Sequence, residues 1–123
     1  MKILVVDHNE ATLKFVSFVL LPKGYDVRFA HSADEAMTAI EKEYPDLLLL
    51  DLELPGAGGL SLARTLKSEL GTRDLVIVGL SENELRREEH QYALDSGCSG
   101  YFAKPLDTQT FADAVARYLP LHS

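Results

Sequence analysis

The sequence feature that most restricts the fold is an unbroken run of four leucines at positions 47–50, followed by Asp51. A strand with one face in solvent alternates apolar and polar residues, whereas a strand buried on both faces is apolar throughout. Strands of the second kind lie in the interior of parallel sheets, where helices cover both sides. The run therefore predicts a central strand of an α/β protein, with Asp51 at its carboxyl end.

Other short apolar segments alternate with amphipathic stretches along the chain. Four of them are predicted strands: residues 3–6, 25–30, 75–80 and 101–102. Asn9 and Ser32 precede two of the predicted helices and belong to the residue types that cap helix N-termini, and Ser32 is followed three residues later by Glu35. Five βα units in succession require a doubly wound parallel sheet, with right-handed crossovers and helices on both faces.

The spacing of apolar residues predicts which side of each helix packs on the sheet. For the first helix the expected apolar face is Ala11, Phe15, Phe18 and Val19. For the second it is Ala36, Met37 and Ile40, and for the third Leu60, Ala63, Leu66 and Leu70. A weakly amphipathic fourth helix is predicted over residues 85–95, and the last is expected to bury Phe111, Ala114, Val115, Tyr118 and Leu119.

Length and charge restrict the class of protein. The 123 residues suit one domain, 1–123, and the hydrophobic content of 46% is ordinary for a globular chain. A net charge of -7 disfavours binding to nucleic acid or to an anionic membrane. The first apolar run is too short for a signal peptide, so a cytoplasmic location is expected. The single cysteine, Cys98, is expected to be packed and cannot form an intramolecular disulfide.

Polar residues follow four of the predicted strands. Asp7-His8, Asp51, Ser81 and Lys104-Pro105 stand at the strand ends, which meet at one edge of a parallel sheet. Two carboxylates repel each other unless a cation lies between them, and Mg²⁺ is commonly held by one or two carboxylates. A carboxylate can also accept a phosphoryl group, with the cation and Lys104 supplying positive charge and Ser81 a hydrogen bond. The constellation predicts a phosphoacceptor site.

Four segments resemble the receiver domains of bacterial response regulators in order and spacing. They are residues 3–7 (ILVVD), 51–59 (DLELPGAGG), 79–81 (GLS) and 100–105 (GYFAKP). The stretch around Asp51, with Pro55 and Gly59, and the Lys104-Pro105 pair are the most specific elements. The resemblance extends over the whole chain.

The resemblance implies a flavodoxin-like fold with strand order 2-1-3-4-5. It implies transfer of a phosphoryl group to Asp51 from a sensor histidine kinase or a histidine phosphotransfer protein, with Mg²⁺, or Mn²⁺ as a substitute, held by Asp7, Asp51 and the backbone carbonyl of Glu53. It further implies a switch through Ser81 and Tyr101 that changes an output face formed by the fourth helix, the fifth strand and the last helix. An effector protein or domain would bind that face. Such domains catalyse phosphotransfer to themselves and the hydrolysis of the resulting acyl phosphate, and they are not usually counted as enzymes.

Two residues depart from the family's pattern. His8 stands where the family usually has a second metal-binding acid, and imidazole is a poor ligand for Mg²⁺ but a good one for softer transition metals. Weaker Mg²⁺ binding is therefore predicted, improving as pH rises through the imidazole range. Glu82 stands where the family usually has a small residue. It could narrow access to Asp51, point outward or, like Glu53, restore the charge lost at His8.

Three classes of function remain at this stage. The first is a phosphorylated switch, and the second is a pseudo-receiver that keeps the fold as an interaction module without regulated phosphorylation. The third is an enzyme with an external substrate on the same fold. A flavin carrier is disfavoured because the acidic residues 7–10 would repel its phosphate, and an aspartyl phosphatase because Asn9 stands where a second aspartate is usual. The sequence also has no Gly-Lys-Ser/Thr phosphate loop. The remaining histidines, His31, His90 and His122, have no partner pattern and are expected at the surface.

Overall fold

Parallel pairing of five strands organises the chain, and the computed structural model describes residues 1–56 and 58–119. The sheet has the order β2-β1-β3-β4-β5, as predicted. The strands are β1 (Lys2–Val6), β2 (Asp26–Ala30), β3 (Leu47–Asp51), β4 (Val76–Ser81) and β5 (Gly100–Ala103). The predicted strand boundaries lie within one residue of these.

Helices connect the strands and cover both faces of the sheet. They are α1 (Glu10–Leu20), α2 (Ala33–Lys42), α3 (Gly59–Ser68), α4 (Arg87–Asp95) and α5 (Phe111–Ala116), with a short 3₁₀ turn at Leu21–Lys23. The two predicted caps are confirmed. The Asn9 side chain accepts a hydrogen bond from the Ala11 amide at 2.9 Å, and the Ser32 hydroxyl accepts one from the Glu35 amide at 3.1 Å.

The central position of β3 is confirmed, because all five of its residues are buried. Leu48 and Leu50 face α2, α3 and α4, whereas Leu47 and Leu49 face α1 and α5. The alternation of side chains along the strand thus supplies leucines to two separate apolar layers. This burial holds the carboxyl end of β3, and with it Asp51, in a fixed position.

The predicted packing face of α1 is right only in part: Phe15 and Val19 pack against the apolar layer beneath the helix, but Ala11 and Phe18 are exposed. Phe18 is 76% exposed, and the helix buries Thr12, Leu13, Val16 and Leu20 instead. Glu10, Lys14 and Ser17 line one side of this helix and apolar residues occupy most of the rest, so the spacing of the apolar residues alone fits more than one face. Leu70 was also assigned wrongly, because it lies beyond the end of α3 and is 79% exposed.

The other predicted apolar faces agree better with the structure. Ala36 and Ile40 of α2 are buried, as are Ala63 and Leu66 of α3. In α5, Ala112 is buried where Ala114 was expected.

Cys98 is buried, and burial raises the pKa of its thiol to about 11, as expected for a packed rather than a reactive cysteine. Within residues 1–56 and 58–119, no helix has the length and apolar character needed to cross a bilayer.

His31 has partners that the sequence pattern did not indicate. Its ring contacts the carboxylates of Glu10 in α1 and Glu35 in α2, the latter at 3.2 Å. His31 is exposed, as expected, whereas His90 is half-buried and its ring packs edge-on against Tyr101 with 5.0 Å between centroids. His122 lies outside the described residues.

Folding stability is expected to depend on pH through His31. Hydrogen bonds to Glu35 and Glu10 raise the pKa of His31 above 6.5. Protons therefore bind the folded state more tightly, so the stabilisation is fully present below pH 6.5 and is lost as pH rises through the higher folded-state pKa. Urea unfolding should show wild type exceeding His31→Gln in stability at pH 5.5 to 6, with the difference shrinking by about pH 9. An equal difference at both pH values would contradict this assignment.

Candidate functional site

Four strand ends bring the predicted site residues to one edge of the sheet. Asp7 directly follows β1, Asp51 and Ser81 are the last residues of β3 and β4, and Lys104 directly follows β5. Asp7 and Asp51 are fully buried, Ser81 is nearly so, and the Lys104 side chain is 11% exposed. The parallel topology therefore places two buried carboxylates, a hydroxyl and an ammonium group at the same edge.

Asp7 is held by one backbone group and one cation. Its Oδ1 accepts a hydrogen bond from the Asn9 amide at 2.8 Å, and its Oδ2 accepts one from Lys104 Nζ at 2.9 Å. Burial raises the pKa of Asp7, while the Asn9 amide and Lys104 act in the opposite direction. The contact with Lys104 connects the carboxyl end of β1 to the carboxyl end of β5.

Asp51 is held in a similar way but by a different cationic group. Its Oδ1 accepts a hydrogen bond from the Glu53 amide at 2.8 Å, and its Oδ2 contacts Nδ1 of the His8 ring. The His8 side chain is 42% exposed, so it covers Asp51 from the solvent side. The hydrogen bond to Asp51 raises the pKa of His8, which favours the imidazolium form beside the carboxylate.

Lys104 lies between two carboxylates, neither of which is Asp51. Besides Asp7, its Nζ donates to Glu82 Oε1 at 3.1 Å. Burial lowers the pKa of Lys104, but the hydrogen bonds to Asp7 and Glu82 outweigh it and leave the pKa above its usual value. Glu82 therefore points toward Lys104, and of the alternatives for its side chain the outward orientation is wrong.

Glu53 directs its side chain away from the Asp7, His8 and Asp51 group. Its carboxylate accepts a hydrogen bond from the Glu82 amide at 2.7 Å and lies 3.5 Å from the Ser81 hydroxyl. Neither Glu53 nor Glu82 thus supplies the carboxylate that His8 replaces. Together they connect the loop after β3 to the loop after β4.

Ser81 and Tyr101 are both tied to the loop between β4 and α4. The Ser81 hydroxyl donates to the Asn83 carbonyl at 2.7 Å, and the Tyr101 hydroxyl donates to Glu84 at 2.8 Å while accepting from the Leu85 amide at 3.1 Å. Ser81 does not cap α4, which begins at Arg87. The structure thus links the site edge to the segment that leads into α4.

A divalent cation fits the donor set that the structure brings together. Asp7, His8 and Asp51 each offer one ligand atom, and these atoms lie within 4.8 Å of one another. Carboxylate oxygens suit Mg²⁺, and the imidazole nitrogen suits transition metals. The Glu53 carbonyl stays a predicted ligand, and its amide already binds Asp51.

Several residues of the site were missed from sequence alone. The amides of Asn9 and Glu53 orient the two buried aspartates, and Asn83 binds Ser81. Gly59 lies so close to the backbone of Asp51 that an added Cβ would stand 2.1 Å from its carbonyl oxygen. The two adjacent glycines at 58–59 could have indicated that two backbone segments approach closely there. Contacts made by backbone amides could not have been predicted, because any residue except proline can make them.

Comparisons with known proteins agree with this geometry. A family model described as the response regulator receiver domain matches residues 3–116. Sporulation initiation phosphotransferase F of Bacillus subtilis is 32% identical over 123 residues, covering 99% of this chain and 96% of its own. The polar-differentiation response regulator DivK of Brucella ovis is 26% identical over 117 residues, covering 95% of this chain and 94% of its own.

Solved structures show the same architecture. A putative response regulator from Chloroflexus aurantiacus superposes with a TM-score of 0.87 at 30% identity, over 95% of both chains. The chemotaxis protein CheY4 of Vibrio cholerae superposes with a TM-score of 0.89 at 25% identity, over 96% of this chain and 98% of its own. Because the family model spans nearly all of the residues that form the sheet and its helices, the chain belongs to the response regulator receiver domains of two-component signalling.

Proposed function

We propose that this receiver domain accepts a phosphoryl group on Asp51 from a phosphohistidine of a sensor kinase or a histidine phosphotransfer protein. The observation that carries the proposal is the buried carboxylate of Asp51 at the end of β3, with one oxygen fixed by the Glu53 amide at 2.8 Å. Asp7 and Lys104 lie at the same edge of the sheet. The relative from Bacillus subtilis is named as a phosphotransferase, which supports the same class of reaction here.

The proposed step forms one bond and breaks one. Oδ2 of Asp51 attacks phosphorus, the P–N bond to the donor histidine breaks, and the leaving imidazole keeps the electron pair and takes a proton. Oδ2 is the better candidate because Oδ1 accepts a hydrogen bond from the Glu53 amide at 2.8 Å, whereas the His8 amide lies at the longer distance of 3.4 Å from Oδ2 and the His8 ring that covers Oδ2 is half-exposed. Movement of the His8 ring therefore precedes attack.

Charge on the transferred group needs compensation from the site. A bound divalent cation would supply positive charge beside the phosphoryl oxygens, and Asp7, Asp51, the Glu53 carbonyl and His8 are the groups that would hold it. Lys104 supplies a second positive charge when its ammonium group leaves the Glu82 carboxylate and donates to the phosphoryl group instead. Before phosphorylation, His8 contacts Asp51 and Lys104 contacts Glu82. Phosphorylation therefore replaces ion pairs within the protein with contacts to phosphate.

The same exchange offers a route to the output face. To bind the phosphoryl group, Ser81 gives up the Asn83 carbonyl, which shifts the loop that also holds Tyr101 through Glu84 and Leu85. A displaced loop frees Tyr101 to turn inward and changes the surface formed by α4, β5 and α5. An effector protein or domain that distinguishes the two surfaces would receive the signal.

Phosphorylation by acetyl phosphate, followed by intact-mass spectrometry, tests the proposed function. Wild type should gain one phosphoryl group in the presence of Mg²⁺ or Mn²⁺, and Asp51→Asn should gain none. Asp34→Asn is the matched control, because Asp34 is an exposed carboxylate in the first turn of α2, after the edge strand β2, and among the described residues it has no hydrogen bond to Asp7, Asp51 or Lys104. A gain of one phosphoryl group by wild type and by Asp34→Asn, with no gain by Asp51→Asn, would support Asp51 as the acceptor.

A pseudo-receiver is the second candidate function, and a specific observation favours it. His8 lies on Asp51 and Glu82 lies on Lys104, so both groups needed for phosphotransfer have internal partners. If wild type gains no phosphoryl group across a range of Mg²⁺, Mn²⁺ and pH, the phosphoacceptor proposal is wrong. The domain would then act through a surface whose state does not depend on Asp51.

A further inference from the structure

We propose that the cation site of this domain selects divalent transition-metal ions over Mg²⁺, with the His8 ring nitrogen as a direct ligand beside Asp7 and Asp51. The inference deepens the proposed function, on which its role in signalling rests. Metal binding itself is measurable without any phosphodonor. The two proposals can therefore fail separately.

Geometry provides the first argument. Nδ1 of His8 contacts Oδ2 of Asp51 and lies 3.8 Å from Oδ1 of Asp7. Ions with nitrogen and oxygen ligands at about 2.0–2.2 Å bring ligand atoms to within roughly 4.4 Å of one another. The three donor atoms already lie within 4.8 Å, so an ion can bind between them once the His8 ring gives up its proton and its hydrogen bond to Asp51.

The surroundings of the donors provide the second argument. Metal sites depend on outer contacts that orient the ligating groups. Asp7 is oriented by the Asn9 amide at 2.8 Å and by Lys104 at 2.9 Å, and Asp51 is oriented by the Glu53 amide at 2.8 Å. Both carboxylates are fully buried, whereas His8 is 42% exposed and gives an ion access from solvent.

The chemistry of the ligand set decides which ion is preferred. Two carboxylate oxygens alone suit Mg²⁺, but exchange of an oxygen for an imidazole nitrogen favours Zn²⁺, Ni²⁺ and other ions of the first transition row. Affinity at such a site rises along that row from Mn²⁺ toward Cu²⁺. His8 therefore converts a site for a hard cation into one that prefers nitrogen-binding ions.

Calorimetric titration with NiCl₂ and MgCl₂ tests the selectivity. Wild type should bind Ni²⁺ at least about ten-fold more tightly than Mg²⁺, and His8→Asp should weaken Ni²⁺ binding by about ten-fold or more while leaving Mg²⁺ binding equal or stronger. His31→Gln is the matched control, because His31 also contacts two carboxylates but lies outside the site. Ni²⁺ affinity that survives His8→Asp, or that falls equally in His31→Gln, would overturn the proposal.

A spectroscopic measurement separates a ligand from a residue that only supports the fold. Pulsed EPR of bound Mn²⁺ should show coupling to an imidazole ¹⁴N nucleus in wild type and in His31→Gln, and none in His8→Asp. Wild-type protein without nitrogen coupling would overturn the assignment of His8 as a ligand. Nitrogen coupling in a protein that takes up no phosphoryl group would instead support this inference while the proposed function fails.

Discussion

Replacing Lys104 by methionine is expected to slow phosphorylation of Asp51 by about 100-fold or more, because loss of a preorganised positive group at a developing charge has effects of that size. Lys104 Nζ is already held at the site by Asp7 at 2.9 Å, and its other hydrogen bond is to the half-exposed Glu82 at 3.1 Å. The rate of mass gain with acetyl phosphate and Mg²⁺ measures the effect. This prediction rests on the proposed function.

Two controls separate charge from folding in that experiment. Lys42→Met removes an exposed lysine at the end of α2 and should leave the rate unchanged. Circular dichroism and urea unfolding of Lys104→Met establish the folded fraction, since removal of Lys104 leaves the buried Asp7 without its cationic partner. A folded Lys104→Met protein that is phosphorylated at the wild-type rate would contradict the assigned role.

Replacing Gly59 by alanine is expected to destabilise the fold by about 3 kcal/mol, the upper part of the range for overpacked substitutions. A Cβ at this position would lie 2.1 Å from the carbonyl oxygen of Asp51 and 3.1 Å from Cα of Leu52. Both are backbone atoms, and β3 is buried on both sides, so neither can shift without disturbing the sheet. Urea unfolding monitored by circular dichroism measures the change.

Gly71→Ala is the matched control for that substitution. It makes the same change of side chain in an exposed turn where an added Cβ meets no atom within 4 Å. Its free energy of unfolding should stay within about 0.5 kcal/mol of wild type. Equal stability of the Gly59 and Gly71 variants would show that the backbone at β3 adapts, and the close approach would then not constrain the site.

The order of elements and the position of the site were determined by the sequence itself. The four leucines before Asp51 specify a strand buried on both faces, and that burial requires neighbouring strands and covering helices. Once the strands are parallel, their carboxyl ends lie at one edge. The meeting of Asp7, Asp51, Ser81 and Lys104 therefore follows from local patterns that repeat along the chain.

Packing choices were decided only by the tertiary structure. Apolar residues cover most of the circumference of α1, so burial of Leu13 and Val16 and exposure of Phe18 depend on how the helix fits the sheet. Likewise, His31 gains its partners because α1 and α2 bring Glu10 and Glu35 to the same place. Residue spacing reports periodicity along one element and contains no information about the neighbour that an element meets.

The pairing of charged side chains at the site was also decided only by the tertiary structure. Sequence identified His8 and Glu82 as departures from the family pattern, but the partner of each depends on side-chain directions at four separate strand ends. In the structure His8 covers Asp51, and Glu82 shares Lys104 with Asp7. Which cation neutralises which buried carboxylate is decided by distances of a few ångströms, because the Coulomb interaction strengthens steeply at that range, and such distances are set only when the whole sheet has formed.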